Sequence, residues 1–377
     1  MKIAIILPHF YPYVGGGETM FYELAKGLLE RGHELRVVAR NVGDEYMGHK
    51  VVEGIDVWYC PWKSAFGHPV PKESDIEEHI EWCDLVHTSI FTTAPVVSRL
   101  AKKYGKPSLL TVYEVRGRKW FWSDKAWRAI LYYIVEQYCC RQSFTAYHAI
   151  SEATKADFQH YICRKKDVRR IYLASEVGLE EKKSSFSIRD YFRIRDEFIF
   201  LYYGRPGRTK GIYVLEKAIC LLKQRGIDAG SRVRFCFLLG KEPEKPRREF
   251  LRRMRDDGLR GVVRVRPSIS REDLAECIKQ ADCVVVPSLT EGFGFSALET
   301  CQLGTDLIYS DGGSLPEVAY GRCRSFKNRN AKDLADKLEA VLRGDADAFV
   351  QVPEKSFSRA QMIDGIEEIY EEMRAGC

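Results

Sequence analysis

The strongest constraint on the fold is an alternation of two kinds of segment, run through twice. Short apolar runs rich in β-branched and aromatic residues read as strands over 3–7, 35–39, 57–60, 84–88, 108–113 and 145–150. Between them, stretches 18–31, 94–104, 124–142 and 152–161 read as helices. The first of these spaces Phe21, Leu24, Ala25 and Leu28 along one helical face, and Gly32 stands where a helix would close. The series then restarts, with strands over 198–203, 233–239, 262–265, 283–286 and 307–309. Helices are expected over 212–224, 248–256, 271–280, 295–303 and 331–342. Strands alternating with helices build parallel sheets from βαβ units. Two series within 377 residues predict two doubly wound α/β domains, over 1–175 and 186–350, joined through the polar stretch 180–185. Ligands in such folds sit at the carboxyl ends of strands, which predicts a site in a cleft between the two domains. A last amphipathic helix is expected over 357–373, with Ile363, Ile366, Ile369 and Tyr370 as its stripe.

Bulk properties remove other classes. No apolar run reaches the eighteen or so residues that span a bilayer. The first residues, Met1 to Pro8, read as a strand and not as a cleavable leader. Twelve cysteines are scattered without a Cys-x-x-Cys spacing, which predicts reduced thiols in a cytoplasmic protein, not a disulfide or zinc framework. The formal charge of +6 is mild but concentrated over 245–266, where Arg247, Arg248, Arg252, Arg253, Arg255, Arg260, Arg264 and Arg266 cluster. That stretch reads first as a solvated helix face, and second as an attractor of anionic nucleotide, glycan or lipid. No nucleic-acid-binding motif accompanies it, so nucleic acid is not an expected partner.

Chemistry concentrates in 287–299, Pro-Ser-Leu-Thr-Glu-Gly-Phe-Gly-Phe-Ser-Ala-Leu-Glu. The run 283–286 feeds it from a strand, Gly292 and Gly294 allow a tight turn, and Phe295 begins a helix. A helix start behind a glycine turn offers unpaired N–H groups and a positive dipole end, which suit a phosphate. Glu291 on the loop and Glu299 about one turn into the helix can each reach sugar hydroxyls. The whole string resembles the Glu-x7-Glu signature of retaining glycosyltransferases, especially glycosyltransferase family 4. The resemblance implies a GT-B fold, in which two Rossmann-like domains face each other across a cleft and the final helix returns to the first domain. It also implies a nucleotide-diphosphate sugar as donor.

The segment 203–211, Tyr-Gly-Arg-Pro-Gly-Arg-Thr-Lys-Gly, places Arg205 and Lys210 at the end of a strand. Two cations there can neutralise a diphosphate and stabilise it as a leaving group. It resembles the family's Gly-Arg…Lys-Gly motif, whose arginine and lysine hold the donor phosphates. In the first domain, Gly15-Gly16-Gly17-Glu18 resembles the family loop that approaches donor phosphate and acceptor, making Gly16 and Gly17 candidate contacts. The likeness extends to 151–154 and 311–318 and covers nearly the full length. Three departures stand out. Tyr113, followed by Glu114, occupies the place of a histidine common in the family, and a tyrosine is no base at neutral pH. Asp306 replaces a proline before a strand, and 173–176 reads Leu-Ala-Ser-Glu where an Asn-Gly-type segment is expected.

The combined expectation is a retaining transferase with Arg205, Lys210 and Glu291 as catalytic residues. The nucleotide sugar would contact Gly16, Gly17, Arg205, Lys210, Glu291, Gly292, Phe293, Gly294, Phe295 and Glu299, with Tyr113 and Glu114 on the acceptor side. No metal or further cofactor is required by this set. Asp345-Ala346-Asp347 reads as a surface turn and not as a metal site. UDP is preferred over GDP as the donor nucleotide, and the acceptor is a glycan, a lipid-linked glycan or a small molecule. Cations and aromatics mix over 116–122, from Arg116 to Trp122, with Trp127 and Arg128 following; they suit peripheral contact at the inner face of a membrane, a sugar-stacking acceptor site, or tryptophans packed under a loop or against 130–138. A nucleotide-sugar epimerase and a degenerate subunit that supports a partner transferase share the same arrangement and remain alternatives.

Overall fold

The computed structural model describes residues 1–13, 15–65, 68–123, 126–175, 184–227, 230, 232–240 and 244–376. Residues 176–183, which hold most of the polar stretch expected to join the domains, lie outside them. The chain divides into two compact units, Met1–Ala174 with Phe357–Cys377, and Ser175–Ser356.

The first unit is built on an eight-stranded sheet. Lys2–Leu7 lies within it, almost wholly buried, between Glu34–Arg40 and Leu85–Ser89, and pairs with both in parallel. From that strand the chain first builds one way, through Glu34–Arg40 to Ile55–Cys60. It then builds the other way, through Leu85–Ser89, Ser108–Val112, Ala146–Ala149 and Arg169–Arg170. The order reverses beside Lys2–Leu7, and the chain from the carboxyl end of this strand leads to Gly15, which caps a helix over Gly16–Glu30 that starts two residues earlier than expected. The strand Gly48–Val52 was not expected. It pairs antiparallel at the sheet edge, and its exposed residues carry no apolar alternation.

The last helix, Arg359–Ala375, belongs to this unit. Ser358 and Gln361 form a capping box at its start, and Ile363, Ile366, Ile369, Tyr370 and Met373 are buried along its stripe. It comes so close to the helix Gly16–Glu30 that any Cβ at Gly27 would overlap the end of Ile363. Ion pairs flank the contact: Arg31 with Asp364 and Glu367, and Arg359 with Glu30 at 2.9 Å. Beneath it runs a buried polar chain. The Tyr370 hydroxyl lies 2.6 Å from His87 Nδ1, and His87 Nε2 lies 2.7 Å from Thr111 Oγ1. Thr111 Oγ1 in turn lies 3.0 Å from His148 Nδ1, and His148 Nε2 lies 3.0 Å from the Ile171 carbonyl oxygen. Burial keeps both imidazoles neutral, pushing His148 down to about 4 and His87 well below its ordinary value.

The second unit is a seven-stranded sheet, parallel except at Val350–Val352. Phe198–Gly204, Val233–Leu239, Cys283–Val286 and Leu307–Ser310 are near-continuous apolar runs because helices cover both faces. Here too the order reverses. Phe198–Gly204 pairs with Val233–Leu239 on one side and with Cys283–Val286 on the other. The loops 205–211 and 287–294 therefore leave from the carboxyl ends of the two strands that flank the switch point. The basic helix begins at Glu244, earlier than expected, because Pro246 falls in its first turn, where a missing N–H costs nothing. Gly321–Phe326 escaped the sequence reading because its arginines conceal the inward Cys323 and Phe326. Both sheets, with their flanking helices, form a GT-B architecture of two Rossmann-like domains.

All eleven described cysteines are unpaired. Among the described residues, no helix is long and apolar enough to cross a membrane.

Candidate active site

The two loops at the switch point of the second unit are fastened to each other through backbone. Leu289 N donates to the Thr209 carbonyl oxygen at 2.8 Å. Gly211 takes a left-handed conformation (φ +64°), starts the helix Ile212–Gln224, and sits so close to Pro287 that a Cβ would overlap its carbonyl oxygen. This contact brings Lys210 to Glu291. Lys210 Nζ lies 2.6 Å from Glu291 Oε1, and Ser288 Oγ donates to the same oxygen at 2.7 Å. The Glu291 backbone is fixed from behind. Its carbonyl accepts from Ser314 Oγ at 3.1 Å and from Ser314 N at 3.3 Å. A Cβ on Gly313 would stand 2.6 Å from that carbonyl oxygen. Asn328 Nδ2 donates to the Leu289 carbonyl at 2.8 Å and holds the loop one step earlier.

Gly294, with φ +99°, opens the helix Phe295–Gln302 without a side-chain cap, and a Cβ there would meet Leu315 at 2.8 Å. Glu299 stands one turn inside. Burial pushes its carboxyl up to about 7, although Tyr203, Arg271, Ser175 and Lys210 all favour its charged form. The Tyr203 hydroxyl lies 3.1 Å from Glu299 Oε2 and 2.7 Å from the Ser296 carbonyl oxygen. Arg205, on the first loop, is exposed, and its guanidinium has no ion-pair partner among the described residues. One loop pair thus presents an open guanidinium, a lysine–glutamate pair, a helix start and a buried carboxyl.

The candidates of the first unit form a separate group. Gly16 and Gly17 begin the helix Gly16–Glu30. Tyr113 lies against them, with its hydroxyl 3.3 Å from the Gly17 carbonyl oxygen, and a Cβ on Gly17 would stand 2.7 Å from the Tyr113 ring. Burial, then the charge of Glu18, holds this phenol well above its ordinary value. Glu114 pairs with Arg116 at 2.9 Å.

Comparison with known proteins gives this arrangement a family. Residues 14–174 match Glycosyltransferase Family 4, and residues 185–355 match Glycosyl transferases group 1. The chain belongs to the family 4 glycosyltransferases. It is 22% identical to a component of the human phosphatidylinositol N-acetylglucosaminyltransferase over 90% of this chain and 68% of that one. A D-inositol 3-phosphate glycosyltransferase from Pseudarthrobacter chlorophenolicus is 34% identical over 38% of this chain, a match that spans 34% of that relative's length. Among solved structures, sucrose-phosphate synthase from Thermosynechococcus elongatus superposes with a TM-score of 0.74 at 19% identity, covering 100% of this chain and 96% of that one. The Anabaena HepE protein in complex with UDP-glucose also gives 0.74, at 15% identity, covering 99% of this chain and 100% of that one.

Several residues of the candidate site escaped the sequence reading as partners. Ser288, Ser314 and Asn328 act on Glu291 or its loop. Tyr203 and Arg271 bear on Glu299. The strings Pro-Ser-Leu and Asp-Gly-Gly-Ser contained two of them, but contact between the strings is a property of the fold. Other singled-out residues stand apart. Asp345-Ala346-Asp347 is an exposed turn after a helix. Asp306 forms a bidentate pair with Arg322, at 2.8 and 3.0 Å, which gives its place at the strand edge a structural cause. Of the basic stretch, Arg253 is tied to the buried Glu216 at 2.7 Å, while Arg248, Arg252 and Arg255 are solvated. Within 116–122, Trp120 turns inward and stacks on Tyr132 at 5.0 Å, with Arg116 over its ring at 4.5 Å.

Proposed function

We propose that this glycosyltransferase moves a hexose-type sugar from a nucleotide-diphosphate donor to a glycan, lipid-linked or small-molecule acceptor, with retention of the anomeric configuration. The observation that carries the proposal is the Lys210–Glu291 pair at a topological switch point, one turn from the helix start at Gly294. Arg205 and Lys210 bind the diphosphate and stabilise its charge as it leaves. The backbone from Gly292 through Phe293 and Gly294 to Phe295 faces the distal phosphate and the sugar. Glu291 orients the sugar hydroxyls, and Glu299 receives the ribose. From the first unit, Gly16 and Gly17 contact the nucleotide sugar, and Tyr113 and Glu114 serve the acceptor side. The acceptor hydroxyl attacks the anomeric carbon from the face the diphosphate leaves, and a donor phosphate oxygen takes its proton. That route needs no side-chain base, in keeping with a half-buried, neutral Tyr113, and the two cations do the work a metal would do.

UDP is the favoured nucleotide, supported by the UDP and UDP-glucose complexes of the Anabaena protein. Inositol recurs in the names of relatives from two kingdoms of life, which supports a polyol or lipid-linked polyol among the acceptors. Thermal unfolding with UDP-, GDP- and ADP-sugars tests the donor. A nucleotide in hundredfold excess over its dissociation constant stabilises the folded protein by about 2.7 kcal/mol. We expect UDP-sugars to raise the midpoint and Arg205→Ala to lose that rise. Equal midpoints with every nucleotide would remove the proposal.

A further inference from the structure

Half of the large hydrophobic side chains exposed among the described residues lie in one segment of the first unit: Phe121, Trp127, Ile130, Ile134 and Tyr138. Four of them sit on the helix Ala126–Cys140, spaced by three or four residues so that they form one face. Trp127 is 65% exposed, Ile130 50%, Ile134 57% and Tyr138 60%. Single exposed hydrophobics need no explanation, but a contiguous stripe marks a surface that docks.

Charge decides what covers it. The only acid of the helix, Glu136, points inward and is fully buried. Its carboxylate accepts from Arg116 N at 2.8 Å and Gly117 N at 2.7 Å. Its burial leaves the outer face of Ala126–Cys140 without a carboxylate among the described residues. The described charged residues beside it are cationic: Arg128, 5.8 Å above the Trp127 ring and 5.9 Å above that of Tyr132, and Arg141 just past the helix end. A convex face of aliphatic residues, with amphipathic aromatics at both ends and arginines beside them, matches the headgroup level of an anionic bilayer. We propose that the outer face of Ala126–Cys140 docks this protein on anionic membrane surfaces, with Trp127, Ile130, Ile134 and Tyr138 entering the interface and Arg128 meeting lipid phosphates. The surface deepens the reading of a lipid-linked acceptor, but its test does not involve sugar transfer.

The full chain is sedimented with vesicles of phosphatidylcholine and with vesicles of phosphatidylcholine mixed with phosphatidylglycerol. We expect binding to the anionic vesicles, weakened by salt. The tryptophan emission should shift to the blue on binding, and Trp127→Phe should lose most of that shift. Replacing Ile130 and Ile134 together by serine should weaken binding roughly tenfold or more, because both half-exposed side chains would be entering the interface. The serine substitutions fall on exposed positions, and an unchanged unfolding midpoint confirms that they leave the fold intact. Absence of binding, equal binding to both vesicle types, or binding indifferent to the double substitution would each overturn the proposal. So would a wild-type dimer in solution that the double variant converts to monomer, since a second copy would then be what covers the stripe.

Discussion

Glu299 should make the donor-free protein less stable as pH rises, and Glu299→Gln should abolish this dependence. Its carboxyl ordinarily titrates near 4.5, and burial moves it to about 7 in the folded protein. A raised folded-state value means that the folded protein holds its proton longer than the unfolded chain does. The associated stability is fully present below pH 4.5 and is lost as pH climbs through 7. At about 1.4 kcal/mol per pH unit, the gap amounts to roughly 3 kcal/mol by pH 8. Glutamine keeps the shape and the partner for the Tyr203 hydroxyl but cannot ionise. Urea unfolding of wild type and Glu299→Gln from pH 5 to pH 8.5 supplies the measurement. The variant should gain on the wild type by roughly 3 kcal/mol across that range, with most of the change centred between pH 5 and 7. Parallel pH profiles would refute the reasoning, because they would mean that the carboxyl ionises at no cost inside the fold. The same group should report on the donor. Ribose hydroxyls that donate to the carboxylate lower its pKa, so nucleotide binding near pH 7 should release a proton. Calorimetry in buffers of different ionisation enthalpy would show it, and the Gln variant should not.

Two further substitutions or conditions test the framework around the site. Gly211→Ala should cost about 3 kcal/mol or more, since alanine is strained at φ +64° and its Cβ would force the loop from the Pro287 carbonyl; Gly207→Ala, in open space on the same loop, should stay within about 0.5 kcal/mol. Similar denaturation midpoints for the two variants would contradict the close approach. In the Glu299→Gln background, stability should fall as pH drops from 6.5 towards 4, because the unfolded chain protonates His148 where the folded one refuses. The loss is roughly 3 kcal/mol from His148, with His87 adding to it. A flat acid limb would show that the His87–Thr111–His148 chain accepts a proton while folded.

How much of this was legible in the sequence follows from where each residue's partners lie. Val233–Leu239 and Cys283–Val286 could be read because a strand covered on both faces must be apolar throughout. Gly48–Val52 could not, because an exposed edge strand is held by its neighbour's backbone and leaves no pattern in its own side chains. Around the candidate site, Lys210, Glu291 and Glu299 stood out because their motifs are local. Their supports did not. Tyr203 reaches Glu299, and Asn328 reaches Leu289, only because parallel strands bring the ends of distant segments to one edge of the sheet. The aromatic segment 116–122 shows the opposite limit. Composition marked it as a surface, yet Trp120 packs inward, and the exposed stripe belongs to the next helix. The difference turns on Glu136, whose burial under the backbone of Arg116 and Gly117 decides which way the helix faces.

The charges of the candidate site are internally compensated, which bears on how the proposed reaction begins. Lys210 spends its charge on Glu291, and Glu299 avoids one by holding a proton near neutrality. Arg205 stands exposed and free of an ion-pair partner among the described residues. An arriving nucleotide sugar carries the complement of each: phosphates for Arg205 and Lys210, sugar hydroxyls for Glu291, ribose hydroxyls for Glu299. Binding is then an exchange of partners. The Lys210–Glu291 pair is the pivot, because neither residue can turn to the donor without releasing the other. Gly211 joins the two loops at Pro287, and Gly313 backs the second loop at Glu291, both through backbone and not through the charges. The loops therefore stay in register while the ion pair opens. A diphosphate without its sugar would take Lys210 and leave the half-buried Glu291 with only Ser288 for a side-chain partner among the described residues. The intact donor satisfies both ends of the pair, and on that ground the site should favour the nucleotide sugar over its own product.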